Sequence, residues 1–258
     1  MSIDNLLTES DRFIIEHAVG RLSNTLRIFG EEHMRFRRLA EVDKEEAINN
    51  YDRAFELILE SFHTLYDVSK NYFNFFEFAE NTLLILLRNA IHHRNHNLFK
   101  SWNAQMALND GYQKFYGASF LLCSYKPIDD SAHVMQYYYK LEDILDRLDS
   151  TRNSPYLDTY LTQKNRLKQL ELLNDQLNFS KIIEYSQQEG YPLSQIYINI
   201  LPILNGALKR VFGRLLLIGI KSTGFDDAIY LKHFTTEGFF DFNEILRDAM
   251  LKELKNHQ

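Results

Sequence analysis

Apolar residues recur along this chain at three- and four-residue intervals, the spacing that lays a single stripe down an α-helix. In the first such stretch Phe13, Ile14, Ala18, Leu22, Leu26 and Phe29 share one face, and Thr8 to Asp11 ahead of it supply an N-cap. A second stripe, Ala47, Tyr51, Ala54, Leu57, Ile58, Phe62, Leu65 and Val68, follows Asp43, which can cap it. A third helix is predicted from about Asn71 through the early nineties, with its most apolar part at Leu83 to Leu87. The helical period returns over 132–148, 156–173, 179–188 and 193–218, and a terminal helix is predicted over 243–255. Only 112–125 resists this pattern. There, aromatics, Gly117 and the run Phe120 to Tyr125 suit either a short strand or an irregular helix.

The breaks at 126–131, 150–155, 189–192 and 221–225 are too short to link independent domains. The expected fold is therefore all-α, a multi-helix bundle forming one domain over 1–258, with one short strand or irregular segment around 112–125 and helix continuing through 151–258. Composition agrees with a globular chain: 45% hydrophobic and 25% charged residues, with 10 Gly and 4 Pro, exclude fibrous and low-complexity classes. The one cysteine, Cys123, excludes an intrachain disulfide framework and a cysteine-rich zinc module and points to a reducing compartment, the cytoplasm. No leader-like segment opens the chain, and the longest apolar runs, 82–87 and 215–220, fall far short of a bilayer span, so no membrane partner is expected. A net charge of -6 disfavours a polyanion binder that uses its whole surface, but leaves room for a local basic cleft.

Two windows are locally basic. No Asp or Glu occurs between Asn81 and Asn109, where Arg88, Arg94, Lys100 and the histidines 92, 93 and 96 fall, nor between Gly190 and Phe225, which holds Lys209, Arg210, Arg214 and Lys221. They can contribute to one positive cleft for a phosphate backbone, or they can lack acids because buried helices exclude carboxylates. The aromatic clusters at 72–78 and 137–139 suit base stacking or a core. His92 and His96 have the spacing of a helical zinc pair, but His93 stands where a zinc-protease motif has Glu and no third ligand suggests itself, so no metal is expected. Without a Gly-rich phosphate loop, a serine-centred elbow or a dinucleotide fingerprint, no cofactor is expected either.

An Arg followed by His after four to six residues occurs three times, as Arg12 with His17, Arg27 with His33, and Arg88 with His93. Only the third has Asn directly after the Arg, and only it follows a strongly apolar helical run. Arg88, Asn89 and His93 resemble the motif of the HEPN family, helical proteins of which many are metal-independent endoribonucleases. The resemblance covers about 20 residues and implies a HEPN-like core within 1–150. It also implies RNA as substrate, a site built at a dimer interface, and a role as toxin or defence effector with a neutralising protein partner. Arg88, Asn89 and His93 are then the catalytic set, with Arg94, His96 and Lys100 as further contacts to RNA.

Helix geometry adds a condition. Arg88, His92 and His96 form one stripe, whereas Arg88 and His93 are about 140° apart, so His92 is an alternative to His93, and a second subunit bringing its own copy reconciles the separation. The chemistry asks for these residue types. Metal-free RNA cleavage uses the adjacent 2′-hydroxyl as nucleophile, so a group titrating near neutrality must take its proton while a cation stabilises the charged phosphorane. Histidine and arginine supply those functions, the latter through paired hydrogen bonds to phosphate oxygens, with Asn89 orienting His93 or binding phosphate. The alternative is a catalytically inactive helical module that binds RNA or another protein.

Overall fold

The computed structural model describes residues 7–92, 98–128, 135–221, 229 and 240–251, the side chains of 248–251 excepted. Contact density divides the chain into two compact units, 1–89 with 205–238, and 90–204 with 239–258.

The first unit is built from helices. α1 (Glu9–Val42) starts where Thr8 accepts the Asp11 N–H at 3.1 Å. The Thr8 hydroxyl and the Tyr72 hydroxyl also donate to the Asp11 carboxylate, which holds its pKa below the ordinary value. Asp43 alone separates α1 from α2 (Lys44–Ser69). Its N–H closes α1 on the Leu39 carbonyl at 2.7 Å, and its side chain opens α2 by accepting the Glu46 N–H at 2.9 Å. One residue thus satisfies orphan groups of two helix ends, and the chain doubles back as a helical hairpin. Phe29 stacks on Tyr51 at 4.8 Å between ring centroids and tilts against Phe55, zipping the two helices together.

After a single 3-10 turn at Phe75–Glu77 comes α3 (Ala79–His92), in which residues 83–87 are all buried. The later helix α9 (Ile200–Leu217) supplies Arg210, whose Nε donates to the buried Glu80 carboxylate at 3.2 Å while its guanidinium lies over the Phe78 ring. Residues 83–87 of α3 and Ile203, Ala207, Leu208, Val211, Phe212 and Leu215 of α9 are buried, positions where a carboxylate would be costly.

The second unit overturns the all-α expectation. It contains α4 (Trp102–Ala107), α5 (Gly111–Lys114), α6 (Leu141–Leu148), α7 (Gln163–Gln176) and α8 (Phe179–Gln188). It also contains a four-stranded mixed sheet of β1 (Ser119–Pro127), β2 (Tyr138–Lys140), β3 (Ile196–Asn199) and β4 (Phe240–Leu251). Their order is β2-β3-β1-β4, with β1 and β3 parallel and both outer pairings antiparallel. This is an α/β fold, not a bundle. The segment around 112–125 divides into α5 and β1.

Each missed strand has a physical reason. β3 is buried at every position, and a short run with both faces covered has the same apolar density as a buried helix; the helix expected over 193–218 is in fact β3 followed by α9. β2 is three residues long and passes directly into α6, so it was absorbed into a helix over 132–148. β4 stands where the terminal helix over 243–255 was expected. Its pairing with β1 jumps from Lys126↔Asp241 to Tyr125↔Ile245, and the intervening Phe242, Asn243 and Glu244 break the two-residue alternation that marks a strand.

Polar joints fix the sheet. The buried Asn199 accepts from the Tyr137 and Leu201 N–H groups and donates to Ser124 Oγ at 3.2 Å and the Met135 carbonyl at 3.1 Å. Phe120, Leu122, Tyr138, Tyr197 and Met106 form a core against Trp102 and Phe115. Tyr137, Tyr138 and Tyr139, like Phe73 and Phe75 in the first unit, are buried, so those aromatics are core rather than stacking platforms.

Beyond α6, residues 156–162, expected to begin a helix, are instead gathered around Asp158. Its carboxylate receives Arg147 Nη2 at 2.5 Å and the N–H groups of Tyr160 and Leu161, its N–H donates to the Arg147 carbonyl, and its carbonyl accepts from Arg166 at 2.7 Å. Burial lowers the Arg147 guanidinium pKa, and Asp158 opposes that shift. α7 starts only at Gln163, capped by Thr162.

Candidate functional site

Arg88 and Asn89 fall on the last two turns of α3, where the buried run Leu83 to Leu87 gives way to half-buried polar positions. α3 carries an acid only in its first turn, so the carboxylate that meets Arg88 comes from α2. Glu60 Oε2 accepts from Arg88 Nε at 3.2 Å and Nη2 at 3.1 Å. Both donors lie along one edge of the guanidinium and converge on a single oxygen. On the other side Nη1 reaches Asn89 Oδ1 at 3.4 Å. The Arg88 side chain is 17% exposed and that of Glu60 39%, so the pair sits at the margin of the helix packing with access to water.

One turn earlier on α2 is Glu56. Burial raises its carboxyl pKa, Arg53 opposes the rise, and the nearby Glu60 charge adds to it. Arg88 thus meets one carboxylate, Glu60, that the sequence pattern does not single out. The available signal was local: Glu60 is flanked by Ile58, Leu59, Ser61 and Phe62, all buried, which puts an acid against a core face where it needs a cation. Nothing in the sequence identified that cation as Arg88, 28 residues away.

The other expected site residues divide into two groups. His92 is the final residue of α3 and is exposed. Lys100 is exposed next to Phe99, which takes a left-handed φ of 58° and donates its N–H to the buried Asp143 carboxylate at 2.9 Å. That conformation is costly for an aromatic residue, and the Asp143 hydrogen bond helps to hold it. Burial raises the Asp143 pKa, while Lys140 and the Phe99 N–H pull it back. His93, Arg94 and His96 lie outside the described residues.

No family model, curated protein or solved structure matches the chain. Among the described residues, no three His, Cys, Asp or Glu side chains group as a metal site, and no helix is long and apolar enough to cross a membrane.

Chemically, the arrangement brings together a guanidinium braced by a carboxylate and a neighbouring carboxamide. A braced guanidinium suits an oxyanion, since paired, charge-assisted hydrogen bonds to phosphate need a fixed plane. Neutralisation by Glu60 works against this, because a phosphate must compete with a carboxylate already in place.

Proposed function

We propose that the protein is a metal-independent endoribonuclease whose centre is Arg88, Asn89 and the histidines that follow. The observation that carries this is the Arg88 guanidinium, fixed by Glu60 on one edge and by Asn89 on the other side, at the end of a buried helix that closes on histidine. In this mechanism a histidine, His93 by the family spacing or His92 by the helix stripe, removes the 2′-hydroxyl proton. Arg88 stabilises the charge that builds on the phosphate as the 2′-oxygen attacks phosphorus and the 5′-oxygen departs. Protonation of that leaving oxygen completes the step, and the products are a 2′,3′-cyclic phosphate end and a 5′-hydroxyl end. A second copy of the chain belongs to this proposal, since it supplies a further Arg88 and histidine to a shared site.

Purified protein incubated with mixed RNAs in EDTA tests the proposal. Cleavage to 2′,3′-cyclic ends is expected, with DNA left intact and with rates falling about 10²- to 10⁴-fold in Arg88→Ala and His93→Ala. A larger loss in His92→Ala than in His93→Ala makes His92 the base. Wild-type rates in both Arg88→Ala and His93→Ala overturn the enzyme assignment. Sedimentation as a monomer, with activity retained, overturns the shared site alone.

The Glu60 contact favours a second function, a catalytically inactive module that binds RNA or protein, in which Arg88 and Glu60 are a structural pair. Absence of cleavage, together with destabilisation of Arg88→Ala, supports it.

A further inference from the structure

Arg88 has five N–H donors arranged as a planar fork. Glu60 takes one from Nε and one from Nη2, both through the same oxygen, and Asn89 takes one from Nη1. Two donors remain, one on each terminal nitrogen, and among the described residues no acceptor meets them. The bound edge is therefore Nε–Nη2, and the edge left for a bidentate ligand is Nη1–Nη2.

An arginine side chain on its own has about 2 kcal/mol of rotamer entropy to lose when it binds a phosphate. A carboxylate gripping the back edge removes that freedom in advance and fixes the plane of the fork. The same carboxylate carries a negative charge that repels the incoming phosphate, so it should weaken binding while improving alignment. These opposite effects separate a positioning residue from one that merely supports the fold.

Resting on the assignment of Arg88 as a phosphate ligand, we propose that Glu60 is the positioning residue of this site: it holds the Nε–Nη2 edge of Arg88 so that the Nη1–Nη2 edge meets a phosphate of single-stranded RNA. Gln at this position keeps an oxygen acceptor and loses the charge; Ala loses both.

The test compares wild type, Glu60→Gln, Glu60→Ala and Glu60→Gln/Arg88→Ala in EDTA, with a single-stranded RNA oligonucleotide for kinetics and its uncleavable 2′-deoxy counterpart for binding. Glu60→Gln should bind the deoxy oligonucleotide about threefold to tenfold more tightly, since one repulsive charge near a phosphate is gone. Adding Arg88→Ala should abolish that gain. In kinetics, both single variants should lower KM, and kcat should fall less in Glu60→Gln than in Glu60→Ala, where a loss of about 100-fold is the usual scale for lost alignment. Equal kcat losses in the two variants, or a gain in binding that survives removal of Arg88, overturn the proposal even when wild type cleaves RNA. If wild type does not cleave RNA, the ribonuclease assignment fails, and the binding arm alone decides: unchanged affinity in Glu60→Gln then rejects the positioning role as well. Should Glu60→Ala fail to fold, the binding of Glu60→Gln and of its Arg88→Ala derivative still decides.

Discussion

Two of the protein's arginine–carboxylate pairs, Arg147–Asp158 and Arg88–Glu60, are alike in composition and very different in setting. Arg147 and Asp158 in the second unit have side chains 2% and 8% exposed, and the carboxylate they share is enclosed by backbone donors from the loop it organises. Arg88 and Glu60 in the first unit are 17% and 39% exposed, and beyond the edge held by Glu60 the guanidinium has a single 3.4 Å contact, from Nη1 to Asn89. A buried ion pair has used up its charge on the fold, because water has been excluded and each partner is needed to neutralise the other. A pair at the margin costs little to rearrange. The type of contact thus says little about function; the number of donors left over, and their access to solvent, says more.

Removing each arginine should separate the two cases most widely. Arg88→Ala is expected to lower RNA cleavage about 10²- to 10⁴-fold while shifting unfolding free energy by about 1 kcal/mol or less. Arg147→Ala should do the reverse. It leaves Asp158 buried and uncompensated, for a loss of about 3–5 kcal/mol in urea unfolding. A Arg88→Ala variant that unfolds as readily as Arg147→Ala would erase the distinction.

A smaller effect sharpens it. Replacing Arg147 and Asp158 together by Met and Leu should recover most of the stability lost in Arg147→Ala, because an apolar pair of similar volume avoids the cost of desolvating charge. The corresponding double replacement at Arg88 and Glu60 should recover no activity. Equilibrium unfolding and the EDTA cleavage assay read the two outcomes.

The smallest effect is a dependence on pH. Each unit has a carboxyl whose pKa burial raises, Glu56 one turn before Glu60 and the more deeply buried Asp143, which accepts the Phe99 N–H. A carboxyl with a raised pKa binds its proton more tightly in the folded state than in the unfolded chain. Stability must then fall as pH rises from the unfolded value through the folded one. Asp143→Asn should match wild type in acid, keep an acceptor for the Phe99 N–H, and become relatively more stable as pH rises. Glu56→Gln should show the same sign with a smaller amplitude, being nearer the surface. Urea midpoints between pH 4 and 8 provide the check, and a wild type that gains on Asp143→Asn as pH rises contradicts it.

The same contrast governs what could be recognised in the sequence. α1 and α2 were legible to the capping residue, since Thr8 and Asp43 announce helix starts and the apolar stripes run unbroken for many turns. α8 matched its expected span of 179–188. The sheet was not legible, because a three-residue β2, a uniformly buried β3 and an interrupted β4 each suppress the alternation by which strands are recognised. At the candidate site, Arg88 and Asn89 stand out in the sequence because they are adjacent and close a strongly apolar run. Glu60 was not, because a contact between neighbouring helices leaves no fixed interval in the chain.

The single-residue joint at Asp43 also bears on the order in which the molecule takes shape. α1 and α2 meet through contiguous sequence, so the hairpin can close as soon as both have left the ribosome, with little loop entropy to overcome. β1 pairs with β3 and with β4, and both follow it in the chain, β4 the later of the two. Until Phe240–Leu251 emerges, β1 has one hydrogen-bonding edge unmatched and can serve as a template for wrong pairing. The helical hairpin is thus ready early, while the sheet waits for β4, and that interval is where a nascent chain of this protein is most exposed to aggregation.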